Sequence, residues 1–200
     1  MCFHSKQTKK AVELEHRFRA RFEKPEAYQP SIFNGFQFPK TPVITNLQPE
    51  QIQLLNWGLI PHWAKDKDIR KNTLNARIET IAEKPSFRNV IHQRCLVLVD
   101  GFYEWQWLDP EGKKKQKYEI GLADGEAFAL GGLWSKWIDK ETGEELNTYA
   151  ILTTEARGLM TEIHNSKNRM PVIIQPGKEN AWLSEEINET ADPPIIATRV

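Results

Sequence analysis

The sequence predicts an α+β fold: mainly antiparallel β strands curving into an open barrel or curved sheet, with short helices at the periphery. Three observations point there. Apolar and alternating runs between residues 94 and 154 are separated by turn-forming segments at hairpin spacing. The 12 prolines and 11 glycines punctuate the whole chain, which long helices do not tolerate. Stretches with the 3.6-residue apolar period are few and short. At 200 residues the chain is long enough for one sizeable core and short for two, so a single domain over residues 1–200 is expected.

The elements follow in chain order. Residues 8–24, TKKAVELEHRFRARFEK, place Val12, Leu14, Phe18 and Phe22 near helical spacing with charges between them, which predicts an amphipathic helix. Pro25, Pro30, Pro39, Pro42 and Pro49 divide the next stretch into short strands and turns, among them SIFNGFQF and PVIT. IQLLNWGLIP (52–61) reads as a strand entering a turn. HWAKDKDIRKNTLNARIET (62–80) is polar and basic, predicting a surface loop that leads to a short helix, which Asn75 is placed to cap. PSFRNVIHQ (85–93) opens on proline and reads as another short helix. RCLVLVDGFYEWQWL (94–108), KYEIGL (117–122), AFALGGLWSKWI (127–138) and TYAILTT (148–154) are the clearest strands, joined by DPEGKKK, ADGE and DKETGEE. ARGLMTEIH (156–164) reads as a short helix, RMPVIIQP as strand, GKENAWLSEEI (177–187) as a late helix and PPIIATRV as a last strand.

Composition excludes several classes. Lys plus Arg and Asp plus Glu are both 27, so no global charge announces a polyanionic partner. The two cysteines, Cys2 and Cys95, are too few for a disulfide framework and point to a reducing compartment. MCFHSKQTKK lacks the apolar core of a signal peptide, and no apolar run approaches the roughly 20 residues that span a membrane. No cluster has metal-ligand spacing, and no glycine-rich phosphate loop is present. Cys95 within RCLVLV reads as an inert buried thiol. Trp57, Trp105, Trp107, Trp134 and Trp137 read as core or barrel-rim residues, and Arg17, Arg19, Arg21 and Lys113, Lys114, Lys115, Lys117 as solvated faces.

Cys2 carries the most chemistry. Removal of Met1 makes it the first residue, with an amine and a thiol on adjacent carbons. Reference pKa values of roughly 7.7–8.0 for an α-amine and about 8.5 for a thiol leave both partly available near neutral pH. An aldehyde meeting that pair forms an imine with the amine; the thiol then closes on the imine carbon to give a five-membered thiazolidine. The blander reading is an incidental cysteine in a mobile terminus. Three further segments weigh against it. NARIET (75–80) offers an amide, a guanidinium and a carboxylate. GFYEW (101–105) sets Glu104 among aromatics at the end of an apolar strand, where desolvation raises a carboxyl pKa toward acid–base duty; alternatively Glu104 is an exposed member of an alternating strand. IHNSKNRMP (163–171) places His164 at a helix end, as a catalytic imidazole or a helix cap, ahead of Arg169.

Cys2, N-A-R-x-E-T, G-F-Y-E-W and H-…-R-M-P, in that order, resemble the signature of the SRAP (SOS-response-associated peptidase) family. WGLIPHWAKD, AEKPSFR and RCLVLVDGFYEW are also similar to it, and the resemblance runs from residue 2 to the region of Val172. It implies a protein that loses Met1, binds single-stranded DNA and captures the ring-opened aldehyde of an abasic site as a thiazolidine. In that scheme Cys2 is the nucleophile and Asn75 positions its amine or thiol. Glu104 moves protons, and His164 assists sugar ring opening. Arg77 and Arg169 hold phosphates flanking the lesion, and Trp63 stacks on a neighbouring base. Asn34 in FNGFQFPKTP is the counterpart of the asparagine in the family's Asn-Val-Ala-Pro segment, and Lys65, Lys67, Arg70 and Lys71 adjoin Trp63 as candidate backbone contacts. The resemblance implies no cofactor, no metal, no membrane and a monomer, in the cytoplasm or nucleus rather than secreted.

The chain departs from the family pattern in several places. It begins Cys-Phe-His rather than Cys-Gly-Arg, with His4 near the missing arginine. Ala64 stands where a second tryptophan is usual. Four residues separate His164 from Arg169 instead of one or two, and the chain ends at ATRV where relatives continue. Two competing functions remain: a thiol peptidase acting on other proteins through Cys2 and His164, and a noncatalytic reader of single-stranded nucleic acid or modified bases using the same groove.

Overall fold

The computed structural model describes residues 2–186 and 194–200. In chain order the strands and helices are β1 (His4–Gln7), α1 (Ala11–Phe18), β2 (Arg21–Phe22), β3 (Ser31–Asn34), β4 (Lys40–Thr45), β5 (Gln48–Trp57) and β6 (Asn75–Arg77). They continue with β7 (Arg94–Val99), β8 (Gly101–Trp107), β9 (Lys115–Leu122), β10 (Phe128–Ile138), β11 (Glu145–Glu155), α2 (Leu159–Ile163), β12 (Arg169–Pro171), β13 (Ile173–Ile174), α3 (Glu179–Leu183) and β14 (Ile195–Arg199).

Two sheets result. A nine-stranded sheet contains the path β12-β11-β10-β7-β4-β5-β2, and β11 also pairs in parallel with β5 through Thr148–Asn56 and Tyr149–Trp57. The strands β11, β10, β7, β4 and β5 therefore close on themselves as a small barrel, which removes the open edges a flat sheet would leave. The second sheet is five-stranded, in the order β14-β9-β8-β1-β3. The stretch at 94–107, apolar and then alternating, feeds both sheets, bending at Asp100 so that β7 joins the barrel and β8 the smaller sheet. The mostly antiparallel, barrel-forming α+β architecture is the one the sequence predicts.

The core explains why β7 is apolar from Cys95 through Val99 rather than alternating. Cys95, Val97 and Val99 pack in one buried cluster with Cys2, Phe102, Ile120, Met160 and Ile163. Leu96 and Leu98 project to the other face and pack with Leu14 of α1 and Trp182 and Leu183 of α3. A strand buried on both faces needs side chains that are apolar on both. The Trp182 indole N–H donates to the Cys95 carbonyl at 3.1 Å, so its one polar group is satisfied inside. A side chain at Gly131 would bring its Cβ within 2.8 Å of that ring, which is why this strand position is glycine.

Several expected helices are shorter or absent. The predicted 8–24 helix stops at Phe18; Arg19 takes a left-handed conformation (φ 52°), and Phe22 leaves to pair with β5 and stack on Tyr28 at 4.9 Å. Leu14 is the buried residue of α1, so a longer helix would have had little further apolar face to dock. Residues 85–93 form successive turns, with Val90 N donating to Phe87 O and Gln93 N to Val90 O, and no helix. The segment after Thr73 is strand β6, parallel to β11 through Asn75–Ile151 and Arg77–Thr153, and Asn75 caps no helix. The late helix is confined to α3, and residue 187 of its predicted span lies outside the described residues. No helix among the described residues is long and apolar enough to cross a membrane.

Candidate active site

Four separate segments bring the principal candidates together. Cys2 precedes β1, Asn75 opens β6, Glu104 lies in the middle of β8 and His164 follows α2. β1 pairs with β8 through His4–Tyr103, which carries the chain start to the strand that bears Glu104. The Asn75 side-chain N–H donates to the Cys2 carbonyl at 2.9 Å. Its amide oxygen is buried with no hydrogen-bond partner among the described residues, an acceptor left available to an amine or hydroxyl. Asn75 thus grips Cys2 by the carbonyl rather than by the thiol.

Glu104 is 3% exposed and faces the barrel side of β8, as Phe102 does two residues earlier. Burial raises its carboxyl pKa, favouring the neutral acid. His164 is 6% exposed, and the Arg169 backbone N–H donates to its Nδ1 at 3.0 Å. That bond makes Nδ1 the acceptor and leaves the proton on Nε2. Burial lowers the imidazole pKa to about 4. Nε2 stands 3.8 Å from Glu104 Oε2, too far for a hydrogen bond. Burial thus disfavours the charged form of each of the two groups, which face one another across a narrow gap.

Cys2 departs from the partly available thiol expected of a free terminus. It is 0% exposed, and burial, with the Glu104 charge adding to it, pushes the thiol well above its ordinary range. The cause is its place in the core beside Val43, Trp57 and Cys95. Its sulfur makes only a long contact of 3.6 Å to the His4 carbonyl. Cys95 is likewise buried and protonated, as the sequence suggests.

The outer candidates separate into two groups. Arg77 is exposed and lines, with Lys167, Asn168, Glu79, Glu155 and Arg169, a cleft of about 400 Å³. Trp63 is 46% exposed, with its indole N–H donating to Pro85 O at 3.2 Å and the ring otherwise open; Lys65 is exposed beside it. The others are occupied. Arg169 is 9% exposed and holds Glu79 with two parallel bonds of 2.8 and 2.9 Å while donating to Thr153 O at 2.7 Å. It is thereby a brace inside the fold rather than an outward phosphate contact. Lys67 pairs with Glu144 at 2.5 Å, Lys71 with Asp68 at 3.2 Å, and the Arg70 guanidinium lies over Phe38, 4.3 Å from the ring centre. The Asn34 side chain accepts from Phe36 N at 3.0 Å, an Asx turn that shapes its own loop. Sequence reasoning missed Glu79 as the partner of Arg169, and Asn165 and Lys167 in the loop after His164. A carboxylate two residues after Arg77 and an unusually long His-to-Arg spacing were the signals available for them.

A small β-barrel protein is thus defined in which the residue after Met1, a cysteine, is built into a site with an amide, a carboxylic acid and an imidazole. The chain matches the family model described as SOS response associated peptidase (SRAP) over residues 1–198, and it belongs to that family. It is 43% identical over 143 residues to the abasic site processing protein YoqW of Bacillus subtilis, covering 71% of this chain and 61% of that one. It is 31% identical over 189 residues to the abasic site processing protein HMCES of Pongo abelii, covering 80% of this chain and 51% of that one. The chain thus spans between half and about three fifths of the length of these relatives. A crystal structure of a protein from Bacteroides thetaiotaomicron superposes with a TM-score of 0.89 at 36% identity, covering 100% of this chain and 92% of that one.

Proposed function

We propose that this protein captures abasic sites in single-stranded DNA through Cys2 once Met1 has been removed, shielding the lesion as a thiazolidine cross-link. The observation that carries the reading is the convergence of Cys2, Asn75, Glu104 and His164 from four elements distant in sequence. The relatives called abasic site processing proteins support the substrate.

The chemistry follows from the protonation states. Loss of Met1 converts the Cys2 amide nitrogen into an amine. His164, carrying its proton on Nε2, donates to the sugar oxygen and favours the open aldehyde. The amine adds to the aldehyde carbon, and the Glu104 carboxylic acid protonates the hydroxyl that departs as water, leaving a protonated iminium and a carboxylate. The carboxylate then takes the thiol proton as sulfur bonds to the iminium carbon; the C=N electron pair returns to the nitrogen, which keeps its one proton, and the five-membered ring closes. Run backwards, the same groups release the DNA. The buried, protonated thiol suits a precursor that stays unreactive while Met1 is attached. In this reading the protein removes its own Met1 as a cysteine peptidase and acts as a monomer where the DNA is, in cytoplasm or nucleus. Arg77 takes a flanking phosphate, Lys65 adds charge and Trp63 stacks on a base.

The test is a single-stranded oligonucleotide with one abasic site, incubated with the protein and run on a denaturing gel. A heat-stable shifted band is expected, absent in Cys2→Ala, together with a protein mass lacking Met1. Binding without a covalent band would instead mark a noncatalytic reader, and turnover of unrelated peptides a peptidase acting in trans.

A further inference from the structure

The loop between His164 and Arg169 contains four residues, Asn165, Ser166, Lys167 and Asn168, and it is not slack. Trp107 N donates to the Asn165 side-chain oxygen at 3.0 Å, and the Asn165 side-chain N–H donates to Trp107 O at 2.9 Å. Both bonds fall on the backbone of one residue. The ladder between β1 and β8 pairs His4 with Tyr103, and Trp107 lies farther along β8. The Asn165 amide there supplies one donor and one acceptor, as a paired strand residue does. Asn168, left-handed at φ 51°, returns the chain: its N–H donates to His164 O at 2.9 Å and its carbonyl accepts from Ala156 N at 2.9 Å. Arg169 then closes the loop through its backbone bond to His164 Nδ1 and its paired bonds to Glu79 just beyond β6.

We propose that Asn165 is a positioning residue that fixes the His164 imidazole against Glu104, by fastening the residue next to the imidazole directly onto the strand that carries the carboxylic acid. This rests on the function proposed above, because the gap it sets is the one in which the sugar oxygen and its proton are handled. A side chain is suited to the task only if it offers both a donor and an acceptor on a short stem. Aspartate keeps the acceptor toward Trp107 N but turns a second oxygen on Trp107 O; alanine removes both. Asn165 is exposed and belongs to neither buried cluster, so its loss leaves the barrel core intact. With the strap undone the imidazole reaches water, and its pKa moves from about 4 toward the ordinary value of roughly 6.5.

The experiment compares wild type, Asn165→Asp and Asn165→Ala by two readouts. The first is the titration of the His164 ring followed by NMR. The second is the initial rate of cross-linking to an abasic oligonucleotide across pH 5–8, with affinity for the undamaged oligonucleotide measured beside it. Both variants should show His164 titrating at higher pH and a cross-linking rate about tenfold lower at neutral pH, with undamaged-strand affinity within about twofold of wild type. An unchanged His164 titration and an unchanged rate in Asn165→Ala would overturn the assignment. If wild type itself forms no adduct, the proposed function fails, while the NMR titration still decides whether Asn165 holds the imidazole.

Discussion

Burial disfavours the charged form of both Glu104 and His164, and this makes opposite demands on pH. The Glu104 carboxyl has a folded pKa above its ordinary value of about 4.3. Between those two values the native state holds a proton that the unfolded chain has lost, so stability falls as pH rises through that window. Glu104→Gln removes this dependence. It should melt higher than wild type at pH 7–8 and about the same at pH 4, while forming no more than a few per cent of the adduct. For His164 the folded pKa of about 4 lies below the ordinary value of roughly 6.5. The unfolded chain takes up a proton first as the solution is acidified, so stability is lost from pH 6.5 down to about pH 4 and levels off below. A ring titrating near 6.5 in the wild-type protein would contradict this account. Both residues were legible in the sequence as candidates, since an acid among aromatics at a strand end and a histidine after a helix are marked by local context. Their proximity, and the burial that disfavours charge on both, depended on β8 and the 164–169 loop meeting, which local context does not encode.

At the scale of elements, β6 shows where pattern reading failed and why. Asn-Ala-Arg followed by Ile-Glu-Thr has the residues of a helix start, yet Asn75–Arg77 lies as a strand along β11, with Ala76 buried against Ala150 and Leu152, and only Ile78–Thr80 coils, as a single 3-10 turn. A parallel partner supplied from more than seventy residues away overrode a weak local preference. The strand is then locked by Glu79 on Arg169. Removing the carboxylate leaves a guanidinium that is 9% exposed without its bidentate partner. Because Glu79 itself is 44% exposed, Glu79→Ala should destabilise by about 1–3 kcal/mol rather than the full cost of breaking a buried pair. Urea unfolding would measure it, and a change below 0.5 kcal/mol would mean the brace is idle. The barrel wall offers a second measurement. A Cβ at Gly132 would stand 2.8 Å from Cys95 Sγ and 2.9 Å from Ala150 O. Gly132→Ala should therefore cost about 1–3 kcal/mol, since a backbone carbonyl on the neighbouring strand has to yield.

At the scale of the molecule, the zero net charge means that affinity for a polyanion has to come from a local set of cations. Sequence alone marks six: Lys65, Lys67, Arg70, Lys71, Arg77 and Arg169. Folding commits four of them, to Glu144, Phe38, Asp68 and Glu79. It also adds one that the family pattern does not supply, Lys167 in the long loop, across the cleft from Arg77. The sequence could not sort most of these cations, because Lys67, Arg70 and Arg169 are each held by a partner far along the chain. Three remain directed at solvent: Lys65, Arg77 and Lys167. With each neutralised phosphate of a single strand contributing a slope of about −0.7, binding of undamaged single-stranded DNA should weaken with salt at a log–log slope of about −2. Arg77→Gln should bring that slope to about −1.4 and reduce affinity alike for every sequence, because a phosphate contact reads no bases. Fluorescence anisotropy across 50–200 mM salt measures both. A wild-type slope steeper than −4 would require a cationic surface much wider than this cleft, drawn from the lysines that now serve as ion-pair partners.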